Sequence, residues 1–166
     1  MNFWLIVLAV VVLAIFIVGA LLSAQPKKAG YQYKRRDCIM TQSERRCYVA
    51  LNNAIADKYD VFPQIHLPSF LDHKIVGQSW MGAFRHIDEK SVDFVLCDKN
   101  DLSPKLAIEL DDRSHERPDR QERDREVERI LKGASMPLLR LRDESSFENK
   151  ERLIIEIQMA IGSEVK

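Results

Sequence analysis

The chain has 166 residues, with 25 Lys and Arg against 25 Asp and Glu, so its formal net charge is zero. That length suits one ordinary globular domain with a short appendage. Zero net charge excludes a global basic field for gathering nucleic acid, and three widely spaced cysteines without a CxxC pair exclude a disulfide framework or a zinc knuckle.

The first predicted element is apolar. Phe3 to Leu22 are 20 consecutive residues without a charge, FWLIVLAVVVLAIFIVGALL. As a helix this run would measure roughly 30 Å, the thickness of a bilayer's hydrocarbon core. A cleaved signal peptide would want a basic leader, a shorter apolar stretch and a small-x-small exit. Only Met1 and Asn2 precede the run, and LLSAQP fits cleavage poorly. The expectation is an uncleaved transmembrane anchor over 1–24. Lys27, Lys28, Lys34, Arg35 and Arg36 all follow it. The positive-inside rule therefore predicts a cytoplasmic domain held at the inner membrane. Residues 25–40 read as a basic tether able to touch anionic headgroups.

A globular domain is predicted over 41–166. TQSE offers an N-cap Thr41 with Glu44 three residues on, and Cys47, Tyr48, Leu51, Ala54 and Ile55 recur at helical spacing. A helix follows over roughly 41–57. YDVFPQIHL predicts a strand over 60–67, with Pro63 marking an edge or bulge. Residues 68–90 lack clear periodicity. SVDFVLCD (91–98) and KLAIELDD (105–112) flank the turn signal KNDLSP and predict a hairpin. Pro118 suits the first turn of a helix that carries Val127, Ile130 and Leu131 and stops near Gly133. MPLLRLR (136–142) predicts another strand, and ENKERLIIEIQMAIG (148–162) a closing amphipathic helix.

Strand periodicity places Leu106, Ile108 and Leu110 on one face and Ala107, Glu109 and Asp111 on the other. In the partner strand Val92, Phe94 and Leu96 share a face, leaving Asp93 with Val95 and Cys97. The hairpin can therefore present Asp93, Glu109 and Asp111 from one side. Clustered carboxylates raise one another's pKa unless a cation sits between them, and an oxygen-only ligand set suits Mg²⁺ or Mn²⁺. The bland reading is solvation, or pairing with a nearby Arg. Two readings of Glu44 also stand open: it faces inward with Cys47 and Leu51, and it completes the capping box. Asp124 shares a stripe with Val127 and Leu131, one turn after Arg120. That pair reads either as a brace for the site or as a surface ion pair.

VDFVLCD, a turn, IELDDRSH, an Arg/Asp-rich helix and MPLLRLR together resemble the PD-(D/E)XK, or restriction-endonuclease-like, superfamily. More closely they resemble a bacterial domain family of unknown function related to the very-short-patch-repair-type endonucleases. The resemblance covers about residues 31–142. It implies an α/β fold, a core of helix, three strands, helix, strand and helix, here behind one N-terminal transmembrane helix. It puts Asp93 and Glu109 on the two acidic places, with the backbone carbonyl of Leu110 as a further metal ligand, and it implies that the first domain helix lends Glu44. Asp111 departs from the pattern, standing where a Lys is usual. The resemblance makes His115 a proton-moving candidate, and Arg113 and Arg117 candidates for holding phosphate in place of the Lys. The implied function is a membrane-tethered, Mg²⁺- or Mn²⁺-dependent nuclease acting on nucleic acid, chiefly DNA. The alternative is a catalytically silent nuclease-fold domain that binds nucleic acid or a protein partner.

Overall fold

The computed structural model describes residues 2–23, 30–111, 118–142 and 145–162, with the backbone only for 20–23 and 118–121. The chain divides into two compact units, Met1–Arg36 and Asp37–Lys166. The first contains α1 (Phe3–Ser23), a helix whose described side chains are all exposed. Here the sequence reading is corrected. Among the described residues no helix is long and apolar enough to cross a membrane, so the transmembrane helix expected over 3–22 is not found. From 30 to 40 the backbone is irregular; 24–29, part of the expected tether, lie outside the described residues.

The second unit is a mixed α/β domain. Helix α2 (Gln42–Ile55) begins where the capping box predicts. The Thr41 hydroxyl accepts from the Glu44 N–H at 3.3 Å, and the Glu44 carboxylate accepts from the Thr41 N–H at 2.6 Å. Two helix-end donors are thus satisfied, and the face carrying Cys47, Leu51 and Ile55 is buried.

Four strands form one sheet in chain order: β1 (Tyr59–His66), β2 (Ser91–Asp98), β3 (Pro104–Leu110) and β4 (Leu138–Leu141). The first three pair antiparallel and β4 joins β3 in parallel. A parallel neighbour needs a long crossover, and α4 (Pro118–Gly133) lies on it. Pro63 is tolerated because β1 is an edge strand. The unpatterned stretch after β1 holds a 3-10 turn (Leu67–Ser69) and α3 (Trp80–Ile87). The last predicted helix is found as α6 (Lys150–Gly162), and a break in the helical backbone separates it from an additional turn, α5 (Ser145–Glu148). Asn149 causes the break: its side-chain oxygen accepts from the Arg152 N–H at 2.9 Å, so it caps α6.

The sheet is covered on both faces. Phe94, Leu96, Leu106 and Ile108 pack with Leu51 of α2 and Leu153 of α6. Val95, Cys97 and Ala107 pack on the other face with Val127 and Leu131 of α4. Each fully buried Leu or Phe contributes roughly 1.5–3 kcal/mol of transfer free energy. One expected neighbour moves: Val92 packs with Val95 and Cys97 instead of Phe94 and Leu96. The alternation of β2 therefore breaks at Asp93. Its partner strand breaks at the same level, since the ladder passes from Pro63↔Phe94 to Ile65↔Val92 without pairing Gln64, whose φ is 52°.

Candidate active site

Strands β2 and β3 align Phe94 with Ile108, and one further step of that register brings Asp93 beside Glu109. The Asp93 Oδ2 accepts from the Leu110 N–H at 2.8 Å, which locks the carboxylate onto the end of β3. The Asp93 and Glu109 carboxyl groups stand close enough for the Asp93 charge, and in smaller part a side-chain hydrogen bond, to act on Glu109. Two carboxyl groups bond this way only with a proton between them. Accordingly the Glu109 pKa is pushed up to about 8, first by burial and then by the Asp93 charge. Asp124 adds to the rise, while the Arg140 guanidinium opposes it. On the α2 side, burial and then the same Asp93 charge raise the Cys47 thiol to about 12, so this cysteine is an inert core residue.

Asp111, two residues beyond Glu109, has a different partner. Arg140 lies directly beside Glu109 in the parallel β3–β4 register. Its Nη1 donates to Asp111 Oδ1 at 2.9 Å and its Nη2 to the Asp124 carbonyl oxygen at 3.3 Å, with the Glu128 carboxylate at 3.9 Å. The sequence reading did not single out Arg140. A signal existed: within LLRL it is the one charged residue between buried and half-buried leucines, and a charge so placed needs a partner.

At the opposite edge Glu44 performs both of its candidate tasks. One carboxylate oxygen closes the capping box, and the other accepts from Gln64 Nε2 at 3.1 Å. Gln64 faces Asp93 across the gap in the β1–β2 ladder, so Glu44 is linked to the site through one side chain. Gln64 was likewise missed, because a left-handed residue inside a strand leaves no sequence pattern unless it is glycine.

Of the expected site residues, Asp93, Glu109, Leu110 and Asp111 therefore assemble at the ends of β2 and β3, with Asp124 alongside. Asp93, Glu109 and Asp111 do not form a three-carboxylate cage. Among the described residues no group of three or more His, Cys, Asp or Glu is placed to hold a metal ion. The reason is that Arg140 engages Asp111, leaving Asp93 and Glu109 as a pair. Arg113, His115 and Arg117 lie outside the described residues, as does the side chain of Arg120, whose backbone lies on α4. A cavity of about 730 Å³ lies elsewhere, against β1 and β2 between Phe62, Phe70 and Leu102, and none of the paired acids lines it.

Residues 36–160 match the family described as Protein of unknown function (DUF2726), and the chain belongs to that family. Neither the curated proteins nor the solved structures contain a match to it.

Proposed function

We propose that this member of the DUF2726 family is a metal-dependent hydrolase of phosphodiester bonds in nucleic acid, with a PD-(D/E)XK-type arrangement of its acids. The observation that carries this reading is the Asp93–Glu109 pair, half-buried side by side at adjacent strand ends, with Asp93 fixed by the Leu110 N–H. Structural carboxylates in such places are ordinarily paired with Arg or Lys, as Asp111 is. Burial and the Asp93 charge together raise Glu109 to about 8, a repulsion that a bound divalent cation would relieve.

The donors fit Mg²⁺ or Mn²⁺ better than zinc. Two carboxylates and the Leu110 carbonyl are hard oxygen ligands, and Mg²⁺ is commonly held by one or two carboxylates with the remainder supplied by water and phosphate. A bound ion would supply charge neutralisation at the phosphate and acidify the attacking water. On this reading Asp93, fixed by the Leu110 N–H, and Glu109 orient the reacting groups. Glu44 and Gln64 brace the same end of the sheet, and His115 moves the proton. Arg113, Arg117 and the arginines of α4 contact backbone phosphates.

A second reading rests on Asp111. It occupies the place where the resemblance expects Lys and it is tied to Arg140. That favours a catalytically silent domain which binds nucleic acid or a protein partner. One experiment separates the two. The full chain is incubated with end-labelled duplex and single-stranded DNA, and with RNA, under Mg²⁺, Mn²⁺ or EDTA, and its thermal unfolding is followed in parallel. The hydrolase reading expects metal-dependent cleavage that Asp93→Asn and Glu109→Gln abolish and His115→Ala slows. It also expects a metal-induced rise in melting temperature that the first two variants lose; saturation a hundredfold above Kd is worth about 2.7 kcal/mol. A melting rise without cleavage of any substrate assigns the silent reading, and no response to either metal removes both the ion and the enzyme.

A further inference from the structure

The surroundings of the carboxylate pair are acidic. Asp93, Glu109, Asp111, Asp124 and Glu128 all stand within reach of one another's charge or of one guanidinium. A phosphodiester is itself an anion and has no electrostatic reason to approach such a group unless a fixed positive charge faces it. Asp111 cannot supply that charge. We propose that Arg140, from the neighbouring strand, is the phosphate-binding cation of this site, taking a non-bridging phosphate oxygen beside the Asp93–Glu109 pair. This inference rests on the phosphodiester reading above and deepens it.

Three observations converge on Arg140. It is in register with Glu109 across the parallel β3–β4 pairing, so its side chain leaves the sheet next to the pair. Its guanidinium is aimed by two anchors on different elements, the Asp111 carboxylate and the Asp124 carbonyl oxygen. Finally, it is not used up. A guanidinium carries five N–H donors, two are engaged by these anchors, and the side chain keeps 25% of its surface exposed. An arginine held in a fixed direction with donors to spare matches the forked geometry of phosphate oxygens, which a Lys would meet only as a point charge. The Lys expected on β3 is thus replaced by an Arg on β4, and Asp111 becomes the group that points it.

Binding of a fluorescein-labelled DNA duplex to the full chain, measured by anisotropy in Ca²⁺ so that affinity is read without turnover, tests the assignment. Arg140→Gln should weaken binding roughly tenfold or more and lower the slope of log affinity against log salt by about one phosphate contact. Arg140→Lys should retain the salt slope while losing part of the affinity. Asp111→Asn is the deciding variant. It removes the competing negative charge while the Asn side-chain oxygen still accepts the anchoring hydrogen bond, so affinity should hold or tighten. If Arg140 were only the structural partner of Asp111, Arg140→Gln and Asp111→Asn would weaken binding together with an unchanged salt slope, and that result overturns the proposal. Thermal unfolding of each variant separates lost binding from lost fold, and Arg140→Lys carries the test if Arg140→Gln does not fold. A wild-type chain that neither binds nor cleaves the duplex or its RNA counterpart overturns the phosphodiester reading and the Arg140 assignment together. Cleavage that persists at full affinity in Arg140→Gln overturns the Arg140 assignment alone.

Discussion

Glu109 and Asp111 leave β3 on the same side, two residues apart, and meet opposite circumstances. Asp111 finds a guanidinium at 2.9 Å and stays about 30% exposed. Glu109 finds the Asp93 carboxyl and is buried deeply enough for its pKa to rise to about 8. The same side-chain chemistry on one strand thus becomes an ion pair at Asp111 and an acid with a raised pKa at Glu109. What separates them is that the Arg140 guanidinium bonds Asp111, while Glu109, beside the same arginine in register, also meets the Asp93 carboxyl of β2.

Breaking the Glu109 side of this contrast should give the largest effect. With metal present, Asp93→Asn or Glu109→Gln should lower the rate of any phosphodiester cleavage by at least about a hundredfold, the scale of losing a positioned acid–base or charge-stabilising group. Arg140→Met should be intermediate, leaving turnover measurable in single-turnover assays.

In EDTA the same pair predicts a pH dependence of stability. The folded-state pKa of Glu109, about 8, lies above its ordinary 4.5. Between those values the unfolded chain releases the proton and the folded chain keeps it, so folding stability falls as pH rises from about 4.5 through about 8. Glu109→Gln removes this loss. Compared with wild type it should gain on the order of 2 kcal/mol in urea unfolding at pH 8.5 relative to pH 5, a conservative share of the linkage because the pair titrates together. Equal pH profiles for the two proteins would show that the carboxyls do not share a proton.

Arg140→Met attacks the other side. It strands Asp111 and also removes the charge that holds Glu109 down, so a loss of about 1–2 kcal/mol is expected at neutral pH. The double variant Arg140→Met, Asp111→Asn should recover part of it, a coupling that a thermodynamic cycle measures. The smallest effect concerns the edge of the site. Gln64 has φ 52° and donates to Glu44. Gln64→Gly and Gln64→Ala lose the same hydrogen bond, but only glycine relieves the left-handed backbone, so Gly should be the more stable by roughly 0.5–1 kcal/mol. Equal stabilities would mean that the backbone at 64 relaxes without its side chain.

Much of the domain was legible in the chain. The capping box at Thr41 and Glu44, the hairpin around KNDLSP, the crossover helix from Pro118 and the parity that places Glu109 and Asp111 together all depend on neighbours within a few residues. The errors have equally local explanations. An apolar run was read as a bilayer span from its length and hydropathy, whereas among the described residues no helix meets that requirement. The short turn Ser145–Glu148 was not drawn, because the capping side chain of Asn149 sets it apart from the periodic closing helix.

The sequence by itself determined which carboxylates stand at the strand ends and which faces of the helices turn inward, because backbone period and hydrophobic burial act residue by residue. Tertiary structure alone decided their partners. Arg140 is 29 residues from Asp111 in the chain and reaches it only because a parallel crossover lays β4 beside β3. Gln64 meets Glu44 across 20 residues because the edge ladder opens at Asp93. Charge compensation depends on distances of a few ångströms between segments remote in sequence, and no local pattern encodes those distances.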